Sequence, residues 1–150
     1  MMSRPAYFLL TLLTISHLAH AIRKDAETGP VITDVVLHII SRVPNQPTGL
    51  KVHCQSNDTD VGTHYLYTGQ EFHWKFLPQP PEPTIFSCHF NWGFEFKTFD
   101  VYDSSIDTFC ADGGPVDKPN NCFWEARTSG FYISKDNRIW LKLNTWDPFV

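Results

Sequence analysis

Several things this 150-residue chain lacks narrow its chemistry before any motif is weighed. It has no surplus of positive charge: 12 Lys and Arg against 16 Asp and Glu leave a net charge of −4. Nucleic-acid binding rests on neutralising phosphates, so a mildly acidic chain without a basic stripe excludes that partner class. After residue 21 no apolar run approaches the roughly 20 residues of a membrane-spanning helix, so no membrane insertion is expected of the mature chain. No C-x2-C or H-x3-H pair is present, and tetrahedral zinc sites are built from such spacings, so no metal is expected. G-x-S-x-G and H-E-x-x-H are also missing, as is any cysteine outside an even set, which leaves no recognisable nucleophile. The chain is not expected to be an enzyme or to carry a cofactor. No window of eleven or more residues past the N-terminal segment has a helical period, and there is no internal repeat.

The N-terminus is informative. "MMSRPAYFLLTLLTISHLAHA" carries Arg4, then an apolar run from Ala6 to about Ile15, and ends on a small–x–small "AHA". That order is the form of a secretory signal. Residues 1–21 are read as the signal peptide and 22–150 as a single secreted, extracellular domain of 150 − 21 = 129 residues. Removing Arg4 leaves 11 basic against 16 acidic residues, a charge of −5. Four cysteines remain, Cys54, Cys88, Cys110 and Cys122. In a secreted chain an even set implies two disulfides with three possible connectivities.

The rest alternates apolar and polar residues in short runs, the signature of an all-β sandwich or barrel. "GLKVHCQS" sets Leu50, Val52 and Cys54 against Lys51, His53 and Gln55. "EFHWKF" sets Phe72, Trp74 and Phe76 against Glu71, His73 and Lys75, and "TIFSCHFNW" puts Phe86, Cys88, Phe90 and Trp92 on one face. "CFWEART" turns Cys122, Trp124 and Ala126 inward, and "RIWLKLN" offers Ile139, Leu141 and Leu143 as a last inward row. Residues 34–41 are more evenly apolar, as in a strand covered on both sides. In "FEFKTFDVY" the apolar phase shifts between Phe96 and Phe99, which predicts a bulge. Turn-forming Gly, Pro, Asn and Asp separate the runs, and residues 103–121 are the longest irregular piece.

His53 and His89 each adjoin a cysteine. Neighbours on a strand point to opposite faces, so with the cysteines inward both imidazoles face outward and cannot join a thiolate on the same strand. His38, His53, His64, His73 and His89 remain able to meet across strands, where a pair could bind zinc weakly or titrate near pH 6.5.

"VLHIISRVPNQPTGLKVHCQSNDTDVGTHYLYTGQEFHWKF", followed by "FSCHFNW", "FDVY" and "CFWEARTSGFYI", resembles the plant self-incompatibility S1 family, the S-protein homologues. That family carries a signal peptide and an L-x-V-H-C-x-S-x-D-D-D-L-G-x-H-x-L-x-x-G-x-x-F-x-W-x-F stretch. The resemblance runs from Val36 to Leu143 and includes all four cysteines. Departures fall in turns: "NDTDVG" has Asn57, Thr59 and Val61 where the family has acids and Leu, and Ser41 or Arg42 stands where Asn is usual. The resemblance implies a small disulfide-stapled antiparallel β-sandwich and a secreted signalling or recognition protein, a ligand of a cell-surface protein receptor. The alternative is an apoplastic carbohydrate-binding, lectin-like module. The blocks of stylar ribonucleases are absent.

Several site residues follow as expectations. Because Cys54, Cys88 and Cys122 lie on inward rows and Cys110 in the long loop, the pairing expected is Cys54–Cys122 and Cys88–Cys110. "NDT" makes Asn57 the expected glycosylation site. Trp74, Trp92 and Trp124 are assigned to the core, Trp140 and Trp146 to exposed positions able to meet a ligand. Asp103, Asp107, Asp112 and Asp117 lack the register of a calcium loop, and their segment is the expected partner-contact loop. The oligomeric state is left open.

Overall fold

A computed structural model describes residues 32–148; the signal-peptide reading lies outside the described residues. Among the described residues nine strands and one short helix follow in order: β1 (Val35–Ser41), β2 (Leu50–Gln55), β3 (Asp60–Leu66), β4 (Glu71–Phe76), β5 (Phe86–Trp92), β6 (Glu95–Tyr102), α1 (Ser104–Cys110), β7 (Asn120–Arg127), β8 (Gly130–Ser134) and β9 (Leu141–Asn144). They form a five-stranded sheet, β4–β1–β7–β8–β9, and a four-stranded sheet, β3–β2–β5–β6. The all-β sandwich read from the alternation is therefore present. One pairing departs from the antiparallel expectation: β1 and β7 run parallel, Val35 opposite Asn120 through Ser41 opposite Ala126.

The inward rows build one core. Leu37, Ile39, Leu50, Val52, Phe90, Trp124 and Phe131 are all buried. Phe99 meets Trp124 at 5.1 Å and Phe131 at 5.0 Å between ring centroids, both edge to face, and such pairs add stabilisation beyond burial. Trp124 Nε1 donates to the Val101 carbonyl at 2.9 Å, which satisfies its one polar atom inside the core. Trp74 and Trp92 are half-buried and pack against this cluster. β1 lies between β4 and β7 in its sheet; on its outer side Val36 and His38 are half-buried and Ile40 is buried, so both of its faces are covered.

Several expectations are corrected. The disulfides are Cys54–Cys88 and Cys110–Cys122, not Cys54–Cys122 and Cys88–Cys110. β2 and β5 are adjacent antiparallel strands that set Cys54 directly opposite Cys88, with Cα atoms 4.1 Å apart. Opposite residues on neighbouring strands share a face and lie within bonding reach, so two inward cysteines pair within a sheet. Cys122 on β7 is then met by Cys110 at the end of α1, Cα to Cα 5.5 Å. The helix itself is a second correction, because seven residues are too few to display a period. Asp103 caps it, its carboxylate accepting the Ser105 and Ile106 N–H groups at 2.9 Å, and Ile106 and Cys110, four apart, are its buried positions.

The bulge lies later than expected. Phe86 faces Tyr102 and Ser87 faces Asp100, which leaves Val101 as the extra residue; Phe96 and Phe99 simply occupy opposite faces. The row of Ile139, Leu141 and Leu143 is exposed, at 78%, 53% and 44%. β9 is a sheet edge, and Asp136 binds the N–H groups of Arg138 and Ile139 in the turn before it. Trp146 does the opposite of what was expected. It is buried, 4.5 Å from Phe131, and its Nε1 donates to the Arg127 carbonyl at 2.7 Å.

Candidate functional site

The outer face of the four-stranded sheet follows from period-2 alternation. Since Val52, Cys54, Cys88 and Phe90 point to the core, Lys51, His53, His89 and Asn91 point out. Register then aligns Tyr65, Lys51, Asn91 and Phe96 in one row across all four strands, and Thr63, His53, His89 and Thr98 in the next. Tyr65 is 69% exposed, and Lys51 Nζ sits 5.9 Å from its ring centroid, a distance at which a cation is attracted to the ring face.

Three residues of the first row, Lys51, Tyr65 and Asn91, line a groove of about 530 Å³ together with Asn45, Pro47, Tyr67 and others. Its walls are held by hydrogen bonds. Trp92 Nε1 donates to the Pro44 carbonyl at 2.9 Å, the Thr68 N–H to Asn45 Oδ1 at 2.8 Å and the Thr68 hydroxyl to the Val43 carbonyl at 2.5 Å. Gly93, at φ +59°, lets the β5–β6 turn close beside Pro47, whose ring an added Cβ would meet at 3.4 Å. The described residues lining the groove include no carboxylate, imidazole or thiol. Tyrosines, amides and one ammonium offer stacking and hydrogen bonds, the chemistry of recognition.

Strand register brings the outward histidines together twice. His53 is opposite His89, but the rings have separate partners: His53 Nε2 bonds Asp60 at 2.8 Å and His89 bonds the Thr98 hydroxyl. The Gly62 N–H and then His53 hold the Asp60 carboxyl below the usual carboxylate range. On the other sheet His38 is opposite His73. There both Nδ1 atoms approach one oxygen, Glu71 Oε1, at 3.2 and 3.5 Å. His38 also stacks on Phe123, centroids 4.2 Å apart, and its Nε2 lies 2.9 Å from Asn121 Oδ1. Sequence reading foresaw that such rows could meet but did not foresee Glu71 between them.

Comparison with known proteins decides the family. The model of the plant self-incompatibility protein S1 family matches residues 36–146, most of the chain. This chain belongs to that family. Among curated members, S-protein homolog 5 of Arabidopsis thaliana is 37% identical over 81 residues, 54% of this chain and 57% of that protein. S-protein homolog 29 of the same plant is 40% identical over 72 residues, 48% of this chain and 53% of that one. The chain thus spans little more than half the length of these relatives. A solved structure described as a self-incompatibility protein homologue, from a widespread family of small, highly stable, secreted plant proteins, superposes with a TM-score of 0.56. It covers 77% of this chain and 96% of the solved one at 23% identity, a likeness of fold. This member of a secreted family has the two disulfides that an oxidising compartment permits, and among the described residues no helix is long and apolar enough to cross a membrane.

Within this family member the acidic segment is divided. Asp103 is the helix cap, and Asp107 accepts the Tyr102 hydroxyl at 2.7 Å. Burial, then the bond to Asp107, pushes the Tyr102 phenol well above its ordinary range. Burial raises the Asp103 carboxyl, but the Ile106 N–H and the Ser105 hydroxyl and N–H outweigh it and hold the group low. Asp112, which accepts the Gly114 N–H, and Asp117 are exposed. Asn57 lies in an exposed turn closed by the Ser56 N–H and Thr59 carbonyl. Trp140, expected outside, is half-buried with the Arg127 guanidinium 5.5 Å from its ring. Sequence reading weighed only tryptophans as exposed aromatics and so missed Tyr65 and Tyr67. The signal was in "HYLY", where His64 and Leu66 take the inner phase and the tyrosines the outer.

Proposed function

We propose that this chain acts outside the cell as a non-catalytic recognition protein, a ligand read by a protein receptor at the plant cell surface. The single observation that supports the reading most is the outward-facing row of Tyr65, Lys51, Asn91 and Phe96, the first three of which line the groove. Aromatic residues are enriched where proteins bind one another, and rigid rings in a preformed setting lose little entropy on binding. In this reading residues 1–21 are removed on export, 22–150 form the circulating domain, and Asn57 carries a glycan. The exposed Asp112 and Asp117, on the loop before β7, supply a second and separate contact.

A sugar ligand is the second reading. It is favoured by the two exposed tyrosines flanked by the Asn45 and Asn91 amides in the groove, since ring faces and amides are what a saccharide's apolar and hydroxyl surfaces meet. Labelled protein, expressed from the full sequence and collected from plant-cell medium, distinguishes the two on intact cells or pollen. Saturable binding abolished by mild surface proteolysis supports a protein receptor. Binding that survives proteolysis and is displaced by soluble sugars overturns that reading in favour of the lectin.

A further inference from the structure

The outer face of the five-stranded sheet carries a group of side chains that recognition does not use. We infer that His38, Glu71 and His73 form a binding site for a divalent transition-metal ion of the zinc or copper(II) class. The three offer donor atoms that all lie within 4.8 Å of one another. Zinc bonds of about 2.0–2.1 Å in a tetrahedron place neighbouring ligand atoms about 3.3 Å apart. The Glu71 Oε1 to Nδ1 separations are 3.2 Å to His38 and 3.5 Å to His73, two such edges already in place.

The surroundings orient the ligands. Asn121 Nδ2 donates to the Pro119 carbonyl at 3.3 Å, which turns its Oδ1 towards His38 Nε2, 2.9 Å away. With its proton on Nε2, given to Asn121, a metal-binding His38 presents the Nδ1 lone pair on the side of Glu71. An outer-shell acceptor of this kind is what fixes the tautomer of metal-ligating imidazoles. The Phe123 stack limits rotation of the same ring. A neutral imidazole facing two oxygens satisfies only one of them, and a cation held between both Nδ1 atoms and Oε1 completes the set. His38 is only 14% exposed in its side chain, whereas His73 is 60% exposed and Glu71 36%, so an ion has a path in from solvent.

Two imidazoles and one carboxylate suit zinc and copper(II), while calcium and magnesium demand oxygen ligands. Three protein ligands leave a fourth position open to water or to a donor from another molecule. The His53–His89 pair is the internal control, equally cross-strand but with its rings committed to Asp60 and Thr98.

Zinc titrated into the oxidised protein against a chromophoric chelator tests the site. One equivalent should bind saturably, and magnesium should not displace it. Asn121→Ala should weaken zinc about tenfold, His73→Ala and Glu71→Gln at least as much, and the His53→Ala/His89→Ala double variant not at all. His73 is exposed enough for its variant to fold, and far-ultraviolet circular dichroism checks this. No saturable binding to the unaltered protein, or equal binding by His73→Ala and Glu71→Gln, overturns the assignment.

Discussion

The two sheets of this sandwich present unlike outer faces. On the five-stranded sheet polar groups are turned on one another. Glu125, 5% exposed, accepts Arg42 Nε at 2.9 Å and Arg127 Nε at 2.7 Å, and the Arg127 guanidinium lies 4.1 Å from the Tyr132 ring centroid. On the four-stranded sheet the Tyr65–Lys51–Asn91–Phe96 row stands open beside a groove. The same alternation generates both faces, so periodicity alone does not tell them apart. What differs is the residue placed between neighbours. A buried carboxylate between two guanidiniums closes a face into a network that is costly to break by removing one partner, whereas exposed rings and amides leave the face available to a partner.

The largest effect expected from breaking this arrangement is on the frame beneath the open face. Replacing Cys54 and Cys88 by alanine should lower unfolding stability by about 4 kcal/mol, and replacing Cys110 and Cys122 by about 3 kcal/mol, since the first bridge closes the longer loop. Their sequence separations are 34 and 12; denaturant melts of the two double variants should keep that order. On the closed face Glu125→Gln should cost about 1.5–3 kcal/mol, the range for hydrogen bonds to charged groups, with cell-surface binding unchanged.

A smaller effect separates structural acids from contact acids. Asp103→Ala should cost about 1 kcal/mol through the lost cap. Because the folded Asp103 carboxyl is held low, its contribution is complete above the unfolded value of about 3.9 and is lost as pH falls through the lower folded value. Thermal melts between pH 5 and 2 should therefore be less steep in pH for Asp103→Ala than for the unaltered protein. Asp112→Ala and Asp117→Ala should change stability by less than about 0.5 kcal/mol.

Much of this was legible in the residues, for a physical reason. Burial on a pleated strand imposes period 2, so "LKVHCQ", "EFHWKF" and "FSCHFNW" disclose which side chains face inward without knowledge of their neighbours. Strand order is not written in that period. Cys54 and Cys88 meet because β2 lies beside β5, and Glu71 reaches His38 because β4 lies beside β1; both are facts of pairing between distant segments. Ile139 lies in the turn before β9, and Leu141 and Leu143 lie on that edge strand, where alternation does not guarantee cover. The seven-residue α1 is announced by its cap alone, and the groove needed three separate turns to close.

A receptor that reads this protein through its open face should depend on Tyr65, and one substitution tests whether it does. Tyr65→Ala removes an exposed ring and should leave the melting curve within about 0.5 kcal/mol of the parent. Saturation binding of the variant to plant cells should fall at least tenfold, the loss of about 1.4 kcal/mol characteristic of an interface anchor. Parental affinity in a normally folded Tyr65→Ala protein would contradict the account.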